Sequence, residues 1–187
     1  MVLRATNIIL LCEDKQHERF VRAFLRKWCK IDRRRIRLIP IPNGRGDAKK
    51  WICNQLPNEL KAYRAKANHL NNLLIVVTDV DNITVQQRAD TLNQACMDAG
   101  VESRRENERV VFIMPKWAIE TWILTLNGQD VNEDKQIETR HKQVAQKLNT
   151  DIAEKLSDMC KKGGSLAITD SLKVACVEFQ EHIAQYL

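Results

Sequence analysis

Three carboxylates in this 187-residue chain could share one hard cation. Asp79 and Asp81 form an Asp-x-Asp pair just after the aliphatic run 73–77, and Glu13 directly follows a second apolar run, 8–12. Residues two apart on an extended backbone share a face, so Asp79 and Asp81 are expected to converge while Val80 packs the other way. Three such acids cannot all stay ionised side by side at neutral pH without a neutralising cation, which makes Mg²⁺ or Mn²⁺ the expected cofactor. Such an ion would activate a water and screen a phosphodiester under attack. The bland alternative is a strand exit, because Asp and Asn are common turn formers.

The elements that must position these acids follow from hydrophobic pattern. Runs that are apolar at every position mark central parallel strands buried on both faces, and the loops at their carboxyl ends form the ligand crevice of an open α/β sheet. Between 16 and 29, Phe20, Val21, Phe24, Leu25 and Trp28 recur at helical spacing, with Arg19, Arg22, Arg26 and Lys27 outside. Residues 36–41 alternate with arginine and end at prolines, which predicts a short strand. Asp47 is placed to cap a helix carrying Trp51, Ile52 and Leu56, with Pro57 interrupting it before Leu60 and Tyr63. A helix over 85–99 is stopped by Gly100, and 110–114 is a fourth strand closed by Pro115.

Four strands alternating with helices predict an α/β, Rossmann-like fold with a mainly parallel four-stranded sheet flanked by helices. The remainder reads as helical: a short amphipathic helix over 117–126, a polar loop over 129–138, one or two basic helices over 139–162, a Gly163-Gly164-Ser165 break and a last helix over 170–187. No linker divides the chain, so 1–187 is expected to be a single domain.

The chain carries a net charge of +6, with pI near 9.1. Its basic residues cluster at Arg33-Arg34-Arg35, Lys49-Lys50, Arg104-Arg105 and Lys161-Lys162. Clustered Lys and Arg displace counterions from nucleic acid, so DNA or RNA is the expected partner. Gly44-Arg45-Gly46 with Lys49 could wrap a phosphate in a turn, making Arg45, Lys49 and Lys50 the candidate nucleic-acid contacts. There is no P-loop, so an energy-dependent activity would need a separately encoded ATPase. The six cysteines lack Cys-x-x-Cys spacing, and neither a zinc site nor a disulfide framework is expected. No apolar run approaches the ~20 residues of a membrane span, and the first residues lack a signal region, so a cytoplasmic protein without membrane contact is expected. Of the four histidines (His17, His69, His141, His182), only His17 falls near the acids. No Gly-x-Ser-x-Gly occurs, and the two tyrosines, Tyr63 and Tyr186, come without the large domains that strand passage requires.

The succession Leu11-Cys12-Glu13, a helix with Glu18 and Phe20 near its start, and Val77-Thr78-Asp79-Val80-Asp81 resembles the Toprim domain of topoisomerases, primases and OLD-family nucleases. Pro115-Lys116-Trp117-Ala118-Ile119-Glu120-Thr121-Trp122-Ile123-Leu124 resembles the Glu-x-Trp-Leu-Leu-type helix of small stand-alone Toprim-like proteins, RloB-like groups associated with phage defence among them. The likeness covers about 6–126 and leaves 127–187 as a helical carboxy-terminal extension. It implies that Glu13 is the metal-linked acid/base and that Asp79 and Asp81 are metal ligands. Glu120, as a further ligand, and Lys116, as a catalytic cation, would be auxiliary members of the site. The sequence departs from the pattern in two places: Asp14 stands where a small residue is usual, and Glu18 falls one position late, leaving His17 in its place.

The implied activity is Mg²⁺-dependent phosphodiester hydrolysis by a small nuclease in antiviral defence. The alternative is a non-catalytic subunit that binds nucleic acid or an ATPase partner, and a homo-oligomer is compatible with either. A receiver-type phosphoacceptor domain also places acids at strand ends, but such domains are well short of this chain.

Overall fold

The computed structural model describes residues 7–42, 47–67, 71–161 and 169–182. In chain order these form β1 (Asn7–Cys12), α1 (Lys15–Cys29), a 3-10 turn (Arg33–Arg35), β2 (Ile36–Leu38), α2 (Ala48–Lys66), β3 (Asn72–Val77), α3 (Val85–Asp98) and β4 (Val110–Ile113). Three helices complete the described chain: α4 (Ile119–Leu126), α5 (Thr139–Lys161) and α6 (Asp170–His182). All strands run parallel in the order β2-β1-β3-β4, so the expected α/β architecture with a helical carboxy-terminal part is present.

The order fixes the faces. Going from β1 to β2 the chain steps one way across the sheet; from β2 to β3 and on to β4 it steps the other way. Crossovers of one hand must therefore put α1 on one face and α2 with α3 on the opposite one. The packing agrees. Ile8, Leu10, Leu73, Ile75 and Val111 meet Phe20, Phe24 and Leu25 of α1, with α4, α5 and α6 on the same side. Ile9, Leu11, Leu74, Val76 and Phe112 meet Ile52, Leu56 and Leu60 of α2 and Leu92 and Cys96 of α3. The reversal of strand order falls between β1 and β3, where open α/β sheets place their ligand crevice. Cys12 lies in register with Val77, and Val77 with Ile113, so the strands end level.

Four expectations are corrected. The helix expected to break at Pro57 is continuous through it, because Leu56, Pro57 and Leu60 are all buried and their packing holds the helix across the missing amide. The strand expected over 36–41 pairs over only three residues; Ile39 N donates to Leu10 O at 3.0 Å, and the chain then leaves at Pro40. The helix expected from 117 begins at Ile119, and Thr121, Trp122, Ile123 and Leu124 are all buried, so it is a core element. No disulfide framework was expected, yet Cys160 and Cys176 are bonded, joining α5 to α6 with their Cα atoms 5.2 Å apart. Cys12, Cys53 and Cys96 are free thiols. Gly163-Gly164-Ser165, Lys162, Tyr186 and the end of the last helix lie outside the described residues.

The outer edge of β4 is closed by side chains. Glu178 of α6 accepts from Phe112 N at 3.3 Å and from Nη1 and Nη2 of Arg104 at 2.8 and 2.9 Å. That guanidinium also donates to Val110 O and lies 4.2 Å over the Phe112 ring. An uncovered strand edge is a template for pairing with another chain. Replacing Glu178 by alanine is expected to destabilise the fold by about 2 kcal/mol, the worth of charge-assisted hydrogen bonds, and to raise aggregation. Urea unfolding with light scattering checks both. An unchanged midpoint would show that the edge needs no cover.

Candidate functional site at the β1–β3 lip

The acids meet because their strands end level. Glu13 continues the β1 ladder, with its N–H donating to Val77 O at 3.0 Å, and Thr78 continues β3 toward β4 by donating to Ile113 O at 3.1 Å. The next side chains therefore emerge together. Glu13 Oε2 accepts from Thr78 Oγ1 at 2.8 Å and from the Asp79 backbone N–H at 3.1 Å, while Oε1 accepts from Lys49 Nζ at 3.1 Å.

The Asp-x-Asp pair does not share a face. Asp81 has φ +59°, a left-handed conformation that Asp tolerates better than most residues, so the backbone has turned before it. Val80 N–H is held by Pro115 O at 2.8 Å. Asp79 consequently faces α1 and is mostly buried. Asp81 faces α2 and α3, with Lys49 Nζ 2.8 Å and Arg88 Nη2 3.9 Å from its carboxylate. The same Lys49 ammonium thus bridges Glu13 and Asp81. Burial works against its charge, but hydrogen bonds and attraction from Asp81 and Glu13 outweigh that and raise its pKa.

His17 takes the other side. Asp14 caps α1, accepting from Gln16 N at 2.7 Å and His17 N at 2.9 Å, and this sets the first helical turn against β3. The imidazole, 1% exposed, places Nε2 2.8 Å from Asp79 Oδ1 and Nδ1 2.9 Å from Asp14 Oδ1, the latter an ion-pair contact with a poor hydrogen-bond angle. Burial would discharge the ring; Asp79 and Asp14 reverse this and lift its pKa well above 6.5. Burial pushes Asp79 up to about 6, with Glu13 and Asp14 adding to the rise and His17 opposing it. Asp14 goes the other way. Burial raises it, but hydrogen bonds and attraction from His17 bring it down to about 2.

Other expected members lie apart from these contacts. Lys116 Nζ donates to Ile83 O at 2.7 Å and is 3.9 Å from Asp134, so it braces the loop that follows the acids. The side chain of Glu120, in the first turn of α4, makes no hydrogen bond or ion pair among the described residues. Glu18 pairs with Arg22 at 2.8 Å, away from the acids. Lys50 is exposed, whereas Arg45 and His69 lie outside the described residues. Lys49, expected as a phosphate contact, is a partner of the acids. Thr78 and Arg88 were not singled out from sequence; only the place of Thr78 beside Asp79 pointed to it, and nothing local marks Arg88.

The donors at this lip are carboxylate oxygens, which suit a hard divalent ion in kind. They are not arranged as a ready cage: among the described residues no three His, Cys, Asp or Glu side chains group as metal ligands. Lys49, Arg88 and His17 bring positive charge to the same place.

Comparisons with protein-family models, curated proteins and solved structures find no match for this chain. Among the described residues, no helix is long and apolar enough to cross a membrane.

Proposed function

We propose that this protein is a small Toprim-like, Mg²⁺- or Mn²⁺-dependent nuclease that hydrolyses phosphodiester bonds in DNA or RNA, with a role in antiviral defence. The observation that carries the reading is the meeting of Glu13 with Asp79 at the β1–β3 switch, where Asp81 joins them through Lys49. Glu13, Asp79 and Asp81 would hold the ion, which supplies an activated water and screens phosphate charge. The chain's own cations contribute the rest. Lys49 and Arg88 bring positive charge to the place where a phosphate would enter, and His17 holds a proton at Nε2 against Asp79.

The test is cleavage of end-labelled single- and double-stranded DNA and RNA with Mg²⁺, Mn²⁺ or EDTA. Wild type is expected to cut only with metal, and Glu13→Gln and Asp79→Asn to lose at least a hundredfold in rate, the scale of losing one preorganised charged group in an active site, while still binding substrate. A wild type that cuts nothing with either metal overturns the nuclease reading.

The engagement of Glu13 by three donors and of Asp81 by Lys49 favours a second reading: a subunit that binds nucleic acid or a separate ATPase without turnover. Under it, oligonucleotide binding survives both substitutions and metal adds nothing.

A further inference from the structure

We infer that the α1–β2 side of the sheet is a nucleic-acid track that grips the sugar-phosphate backbone and lies outside the acid lip. The inference rests on the reading above for the class of partner and adds where that partner lies. Arg19, Arg22 and Arg26 project from one stripe of α1 and, with Arg33 from the turn before β2, line a groove of about 290 Å³ floored by Ile31 and Ile36. Residues 19 to 26 span on the order of 10 Å at ~1.5 Å per helical residue, about three nucleotide steps at ~3.4 Å each.

Two of the four arginines are engaged: Arg22 with Glu18 and Arg26 with Glu154, each at 2.8 Å. The exposed Arg19 and Arg33 side chains make no hydrogen bond or ion pair among the described residues. A second, separate groove of about 240 Å³ lies at the starts of β1 and β3, lined by Arg34, Arg35 and Arg37 and by Lys66 of α2. Arg34 there pairs with Asp32, and Arg37 with Glu59.

Guarding the short edge strand β2 against pairing would need scattered charge. It would not need four arginines gathered around an apolar floor. Guanidinium groups bind phosphate in a bidentate fashion and stack on bases, and a floor of isoleucine accepts sugar and base edges. That combination fits a polynucleotide better than a lipid surface, which would call for exposed aromatic or leucine anchors.

The test measures anisotropy of labelled 24-nucleotide DNA and RNA, single- and double-stranded, titrated with full-length protein in EDTA over a range of salt. EDTA removes hydrolysis, so the outcome stands apart from whether the acids cut. Arg19→Gln/Arg33→Gln is expected to weaken binding about tenfold and to reduce the salt slope by about two, with circular dichroism unchanged. Lys147→Gln/Lys155→Gln on α5, which removes the same charge, is expected to change neither. Equal losses in both double variants, full affinity in Arg19→Gln/Arg33→Gln, no binding to any oligonucleotide, or stronger binding to phosphatidylserine vesicles than to oligonucleotides would each overturn the track.

Discussion

Replacing His17 by glutamine is expected to cost about 3 kcal/mol at neutral pH, the scale of leaving a buried charge without its partner. Asp79 would remain buried against Glu13 with the cation beside it gone. The cost should depend on pH in a defined way. The raised pKa of His17 contributes stability that is full below 6.5 and is lost as pH climbs through the folded-state value. Asp79 is raised from 3.8 to about 6, so its contribution is full below 3.8 and is lost as pH rises through about 6. Without His17 the Asp79 carboxyl moves higher still, and the variant loses more than wild type over that interval. The difference between the two proteins is therefore expected to grow from pH 4 to neutrality and to shrink again only as pH climbs through the raised His17 value. Urea unfolding at three pH values reads this, and a difference that is the same at all three would remove the ion pair from the account. Asp14, lowered to about 2, adds an acid limb: its contribution is present above 3.8 and is lost as pH falls through about 2.

Lys49→Met is expected to destabilise the apo protein by about 2 kcal/mol and to make it bind Mg²⁺ more tightly than wild type. Removing the ammonium leaves Glu13 and Asp81 facing one another without the cation that bridges them. The side chain is 27% exposed, so water offsets part of the repulsion and the cost stays below that of a fully buried pair. A divalent ion then has oxygens to bind that no longer have to be released from Lys49. Differential scanning with and without 10 mM Mg²⁺ is the measurement: the rise in Tm on adding metal should be several degrees larger in the variant. If Mg²⁺ stabilises neither protein, the acids at this lip are not metal ligands, and the binding-subunit reading gains.

The sheet was legible in the sequence because burial on both faces forces a run without alternation. Residues 8–12 and 73–77 are such runs, and both lie in central strands. The meeting of Glu13 with the Asp79 region followed from the same inference, since adjacent parallel strands that end level deliver their next residues to one place. Side-chain direction beyond the strand end was not legible. An extended backbone through Asp81 was a reasonable expectation, yet the turn at φ +59° sends the two aspartates to different partners. Nor can local pattern reveal that Lys49, 36 residues from Glu13, supplies the counter-charge. The spacing also leaves unsaid that His17, in the place where an acid was expected, sits against Asp79 with the opposite sign of charge. Pro57 misled because helix-breaking is a local tendency, whereas Leu56 and Leu60 hold the helix through tertiary packing.

Asp14 has two tasks at once: its carboxylate holds the first amides of α1 and also stands against the His17 ring. Unwinding of that opening turn and loss of the imidazole's proton are consequently linked equilibria. Deuterium uptake at the Gln16 and His17 amides should rise with alkalinity more steeply than the intrinsic chemistry of exchange allows, so that the backbone clock reports the protonation of a side chain.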